Sequence, residues 1–241
     1  MKTIIFGILT AILSFSSVRT ACSQDTVTAK VKDGFTIETF GKLTLEGNYI
    51  DGKKEGVWTT YYPTGLLNKA EEFHHGKKNG LMIELDSKGS ITLQASYIDD
   101  KLDGVSKAYG RNGKFSWEKH YKMNKLHGLC RLYYDGGLLQ EEGWYKDGLR
   151  DSVTAWYDSQ GHKIALNHYK HGKFDGPSIT YFTNGQVSTE KNYLLDILNG
   201  PYKKYNEKGT LLEEGNYLNG EKKGTWVSYD ENGKLIAKEK H

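Results

Sequence analysis

From about residue 41 to the end of the chain, apolar and polar positions alternate in short runs, and turn-forming residues cut the runs at a fixed interval. In the stretch Val57-Trp58-Thr59-Thr60-Tyr61-Tyr62, side chains should point alternately to opposite faces, the two-residue period of a β-strand. After Pro63-Thr64-Gly65, a second such run leads to Phe73. The pattern predicts a repeating unit of strand, tight turn, strand and looser turn, with about six to eight residues per strand.

The interval is 24 residues and holds without insertion or deletion. Stepping from Gly52 gives Gly76, Asp100, Asn124, Gly148, Gly172, Asp196 and Gly220, all turn formers. Four residues further on stand Gly56, Gly80, Gly104, Gly128, Ser152, Gly176, Gly200 and Gly224. An unbroken third series runs from Gly65 to Gly233. Residues at these phases should take positive φ or lie where another backbone approaches closely.

Tyrosine keeps the same register. The first strand carries Tyr61, Leu85, Tyr109, Tyr133, Tyr157, Tyr181, Tyr205 and Tyr229, and the second carries Tyr49, Phe73, Tyr97, Tyr121, Tyr145, Tyr169, Tyr193 and Tyr217. By parity, the apolar series Leu67, Ile91, Phe115, Leu139, Val187, Leu211 and Leu235 should share a face with the second-strand tyrosines, making that the packed face and leaving the other wetter.

These patterns predict an all-β fold: an elongated single-domain array of tandem 24-residue β-hairpin repeats forming an extended antiparallel sheet or solenoid. Eight repeats and a degenerate N-terminal one near residues 34–49 fill residues 41–241, with residues 24–40 as an N-terminal cap. Strands about 4.8 Å apart, two per repeat, would make a body on the order of 75–80 Å long. Each repeat should touch chiefly its neighbours. The charged end, Lys234, Lys238, Glu239 and Lys240, should blunt the exposed edge of such a sheet.

The first residues have another character. Lys2, the apolar stretch Ile4–Leu13 and the small residues around Ser16, Ser17 and Ala21 have the layout of a secretory signal over residues 1–23. Cleavage after Ser23 would leave Gln24 first, giving a secreted or periplasmic protein. In a rival reading, Thr20-Ala21-Cys22 ends a lipobox and Cys22 carries a lipid anchor. Beyond residue 23 no run of about 18–20 apolar residues offers a transmembrane helix. The whole chain has 33 basic and 30 acidic residues; loss of Lys2 and Arg19 leaves 31 basic residues and a net charge of +1. That balance gives no electrostatic drive toward nucleic acid. Cys130 would then be the one remaining cysteine, so no intrachain disulfide is expected, and it reads as a small strand residue.

The run Tyr169-x-x-Gly172-Lys173-x-x-Gly176, followed by Tyr181 and Gly185, resembles a MORN repeat, and Glu213-Glu214-Gly215-Asn216-Tyr217 resembles its Glu-Gly-Glu-Trp segment. The nearest likeness is to the MORN-variant repeats of bacterial proteins labelled YwqK-family antitoxins, parts of toxin-antitoxin systems, and it covers about residues 41–241. The sequence departs from the usual repeat where a second glycine would stand: Trp58, Cys130, Tyr202 and Trp226 are among the occupants. The export signal also departs from what a cytosolic antitoxin would carry. What the resemblance implies is therefore a binding scaffold, with an antitoxin or immunity-like role as one form of it.

Chemistry-bearing residues are sparse. The histidines are scattered as His74-His75, His120, His127, His162, His168, His171 and His241, and the two turn clusters lie four repeats apart, so no metal site is expected. The acid pairs Glu71-Glu72, Glu141-Glu142 and Glu213-Glu214 recur at one phase, as a solvated sheet face would, whereas a glycosidase pair belongs to one cleft. No phosphate-binding glycine loop is present, and no cofactor is expected. Trp117 has packed parity. Trp58, Trp144, Trp156 and Trp226 have the opposite parity to the tyrosines of their own strands, so all four are expected to project from the polar face as partner-binding residues.

The sequence thus predicts a non-enzymatic protein-binding module at the bacterial envelope or exterior. Alternatives are a binder of envelope polysaccharide, its aromatics stacking on glycan, or a structural spacer or adhesin component.

Overall fold

A computed structural model describes Lys32–His241. The signal segment, Cys22 and the start of the lead-in lie outside the described residues. Among those residues the chain forms one antiparallel sheet of nineteen strands and a single 3-10 turn at Arg111–Gly113. The strands meander: β1 (Gly34–Phe40) pairs with β2 (Leu43–Ile50), β2 with β3 (Lys53–Tyr61), β3 with β4 (Leu67–His74), β4 with β5 (Lys77–Leu85), and so on to β19 (Leu235–Lys240). One first strand is interrupted at Asn199, so that Ile197–Leu198 (β15) and Gly200–Tyr205 (β16) both pair with Val187–Leu194 (β14). The sheet is open, and substantial contacts join consecutive strands, as the repeat period predicts. The expected boundary at residue 40/41 falls inside a hairpin, since Phe40 faces Leu43, and β1 belongs to the degenerate repeat.

Two kinds of turn join the strands, and each has a physical cause in its sequence. At the looser turns both central residues take positive φ, from Asp51 (52°) and Gly52 (70°) to Asn219 (52°) and Gly220 (88°), the type I′ geometry that matches strand twist. The backbone N–H of the second turn residue reaches back one repeat: Gly76 donates to the Lys54 carbonyl at 2.9 Å, Asp100 to Lys78, Asn124 to Leu102, Gly148 to Leu126 and Gly172 to Arg150. At the first turn, the Asp33 carboxylate accepts from the Gly52 N–H at 2.9 Å. These bonds stitch the array along one edge.

At the opposite edge, the tight tips close with bonds such as Gly65 N–H to the Tyr62 carbonyl. Asp86, Asp158, Asn206 and Asp230 accept two backbone amides each from the tip that follows. Where the same position holds a tyrosine, its hydroxyl crosses to the next repeat: Tyr62 to the Leu85 carbonyl and Tyr134 to the Tyr157 carbonyl.

Each repeat also carries two irregularities in strand pairing, and these decide which residues share a face. Between β4 and β5, Glu71 faces Met82 but Phe73 faces Lys78, so Asn79-Gly80-Leu81 bulge opposite Glu72. Gly80 has φ +123°, and Ser152, the one non-glycine of its series, has φ +67°. Between β3 and β4, Thr60 faces Lys69 but Tyr61 faces Leu67, leaving Asn68 as an extra residue. That second bulge reverses the parity of Leu67. The apolar series from Leu67 therefore lies with the first-strand tyrosines, as the stack of Phe115 between Tyr109 (5.1 Å) and Tyr133 (5.8 Å) records, and not with the second-strand tyrosines as parity predicts.

Candidate interaction surface

The sheet has two faces, each with a tyrosine ladder. The Trp58 face carries the second-strand tyrosines and one row that is buried along most of the array: Trp58, Met82, Ser106, Cys130, Thr154, Ser178 and Trp226, with Tyr202 half-buried in the same row. The Trp58 indole lies over Gly47, meets Tyr49 edge-on at 4.9 Å and donates from Nε1 to the Asn48 carbonyl at 3.1 Å. Lys54 Nζ caps the ring at 4.0 Å. Trp226 repeats the arrangement with Gly215, Tyr217 (5.0 Å), the Asn216 carbonyl (3.2 Å) and Lys222 Nζ (3.9 Å).

Both tryptophans are 3% exposed, which overturns the expectation that they project into solvent. Parity places them opposite the first-strand tyrosines correctly. The packed face is that of the second-strand tyrosines, as expected, but strand pairing sets Trp58 opposite Glu71 and so on that same face, while the first-strand tyrosines and the Leu67 series lie on the other. The signal that finds them is glycine eleven residues earlier, Gly47 and Gly215, which vacates the space the indoles fill.

Trp156 stands on this same face, half-buried at 6.2 Å from Tyr169. It borders a cluster around Arg150, whose guanidinium lies 5.4 Å from the Tyr145 ring, 5.7 Å from Trp156 and 5.9 Å from Tyr169, and is bonded to Glu141. Burial beside the Glu141 charge pushes the Tyr145 hydroxyl up to about 12. Glu141 is 8% exposed, so the acid pairs are not a solvated face. They also straddle the sheet: Glu141 binds Arg150 on the Trp58 face, and Glu142 accepts from Arg131 Nε at 2.7 Å on the other. Cys130 is buried and free, and burial pushes its thiol up, away from the reactive thiolate.

The Tyr61 face carries a charge ladder, Lys107 to Glu118 (3.2 Å), Glu118 to Arg131 (3.6 Å) and Arg131 to Glu142, flanked by a row of apolar residues. Val57, Leu81, Val105, Leu129, Val153 and Pro177 recur there, one per repeat, and Val57 is 59% exposed. Each stands opposite residue 72 or its equivalent on the next strand: Val105 faces His120, Leu129 faces Trp144 and Val153 faces His168. Trp144 is 50% exposed. Of the four tryptophans predicted as partner-binding, it is the one that projects into solvent, and it stands on the opposite face from the other three. The apolar row beside it went unread in the sequence, although its period is visible.

Comparison with known families matches the MORN repeat variant to residues 174–194, 198–219 and 222–241. Each match spans a first strand and the second strand that follows it, the same hairpin unit that recurs upstream. Comparison with curated proteins gives no match. The described chain is an array of β-hairpins, and its last three units match the MORN repeat variant.

Proposed function

We propose that this chain is a non-catalytic recognition protein of the cell envelope or exterior, which holds a partner protein against its Tyr61 face. The observation that carries the reading is Trp144, a half-exposed indole set opposite Leu129 in a repeating row of exposed and half-buried aliphatics on an otherwise charged sheet face. Large aromatics on apolar ground ringed by charge are the usual anchors of protein interfaces. Among the described residues, Glu141 and Glu142 are engaged by Arg150 and Arg131 on opposite faces of the sheet and the Cys130 thiol is buried, an arrangement that favours a binding role. An immunity-like role against a toxin is one form of this function, and residues 1–23 would direct the export.

The test is cross-linked affinity capture of the full-length protein from its own host, with envelope and medium fractions kept separate. One stoichiometric protein partner, lost with Trp144→Ser and retained with a substitution on the Trp58 face such as Lys78→Gln, supports the reading. Capture of envelope polysaccharide without protein overturns it in favour of glycan binding.

A further inference from the structure

In three repeats the side chain one residue before the bulge glycine has a scaffold role. Glu55, Asp103 and Asn199 each accept the backbone N–H of the residue twenty positions later, at the looser turn of the next repeat: His75 at 2.7 Å, Met123 at 3.1 Å and Asn219 at 3.3 Å. Glu55 does more than this cap requires. Its second oxygen, Oε1, lies 2.8 Å from His74 Nδ1, and His75 Nδ1 lies 3.9 Å from Oε2. The two imidazoles are 4.0 Å apart between ring centres, and ligand atoms of all three residues lie within 4.8 Å of one another.

We propose that Glu55, His74 and His75 form a surface site for a divalent transition-metal ion of the zinc and copper class. Two imidazole nitrogens and one carboxylate oxygen are the donors such ions select, whereas magnesium and calcium take oxygen alone. The turn fixes much of the geometry before any ion arrives. His75 is held at φ +50° by the type I′ turn, and its own amide anchors the carboxylate. Lys77, which faces His74 across the turn, is drawn to Asp99 at 3.7 Å. Both imidazoles are mostly exposed, which leaves coordination positions for water or for a donor from a docked partner.

No other looser turn has histidine at both positions: the equivalent pairs are Ile50-Asp51, Ile98-Asp99, Lys122-Met123, Lys146-Asp147, Lys170-His171, Leu194-Leu195 and Leu218-Asn219. Sequence spacing set His74-His75 against the distant His168 and His171 and so excluded a metal. The third donor comes instead from Glu55, one repeat upstream, which the fold lays beside the turn.

Calorimetric titration of the full chain with Zn2+ alone should show one ion bound with micromolar Kd. His74→Asn with His75→Asn should weaken that binding at least ~10-fold. Glu55→Gln, which keeps an oxygen for the His75 amide, should weaken binding with the thermal midpoint unchanged. His168→Asn with His171→Asn should bind as the parent does. Equal binding by the His74/His75 double variant, or none by the parent chain, would overturn the site. Electron paramagnetic resonance of the parent chain with one equivalent of Cu2+ gives a test free of any folding defect: two coordinated imidazole nitrogens are expected, and fewer would refute it.

Discussion

Trp226 occupies the space that Gly215 leaves empty: a Cβ on Gly215 would clash with the carbons of the indole ring. The relation holds at the other end of the array between Trp58 and Gly47. Among the described residues there is one sheet layer, and each indole is enclosed between the glycine beneath it, the tyrosine beside it and a lysine that caps its ring, Lys54 or Lys222.

Gly215→Ala should therefore destabilise the chain by roughly 1–3 kcal/mol, the cost of forcing a methyl into filled space. Trp226→Ala should cost about 3–5 kcal/mol. Denaturant unfolding followed by circular dichroism checks both, and a neutral Gly215→Ala would show that the indole does not lie over the glycine.

Trp144 differs. Trp144→Ser should change stability by no more than about 0.5 kcal/mol, because the side chain is half in water in the folded state. It should also remove most of the tryptophan fluorescence that acrylamide quenches readily. Quenching left intact in the variant would mean that another indole is the exposed one.

Leu195 and Ser152 are among the positions that hold left-handed backbone with side chains poorly suited to it. Leu195 has φ +51° at the first position of a type I′ turn, and Ser152 has φ +67° where the other repeats carry glycine. Leu195→Asn and Ser152→Gly should each raise stability by about 0.5–1 kcal/mol. A thermal melt that falls in either variant would show that the native side chain makes contacts worth more than the strain it bears.

Alkali should unfold the chain through its tyrosines. Tyr145 is pushed up to about 12, and burial also raises Tyr121, Tyr169, Tyr193 and Tyr202. A phenol whose folded pKa exceeds its unfolded value of 10.0 keeps its full contribution below pH 10 and loses it as pH rises through the folded value. Stability should thus decline between about pH 10 and 12, with phenolate absorbance rising together with loss of strand signal. Tyr145→Phe should lessen that decline, and an unchanged pH profile would place Tyr145 in water.

The sequence alone determined the repeat, its 24-residue length, the strand–turn order and the location of both turns, because glycine and the short polar residues are the ones that tolerate positive φ. It determined as well that Trp58 and Trp226 lie opposite Tyr61 and Tyr229, since no bulge separates them within their strands. Which first-strand residues and which apolar series share the packed face was decided by the pairing of strands. One extra residue, Asn68, turns Leu67 over, and a two-residue period carries no mark of where such a residue will be inserted. The meeting of Glu55 with His74 and His75 was likewise decided by pairing, because the side chains converge only when β3 and the turn after β4 lie side by side. Local backbone preference fixes a hairpin, while the surface each hairpin presents depends on how its neighbours are set in register against it.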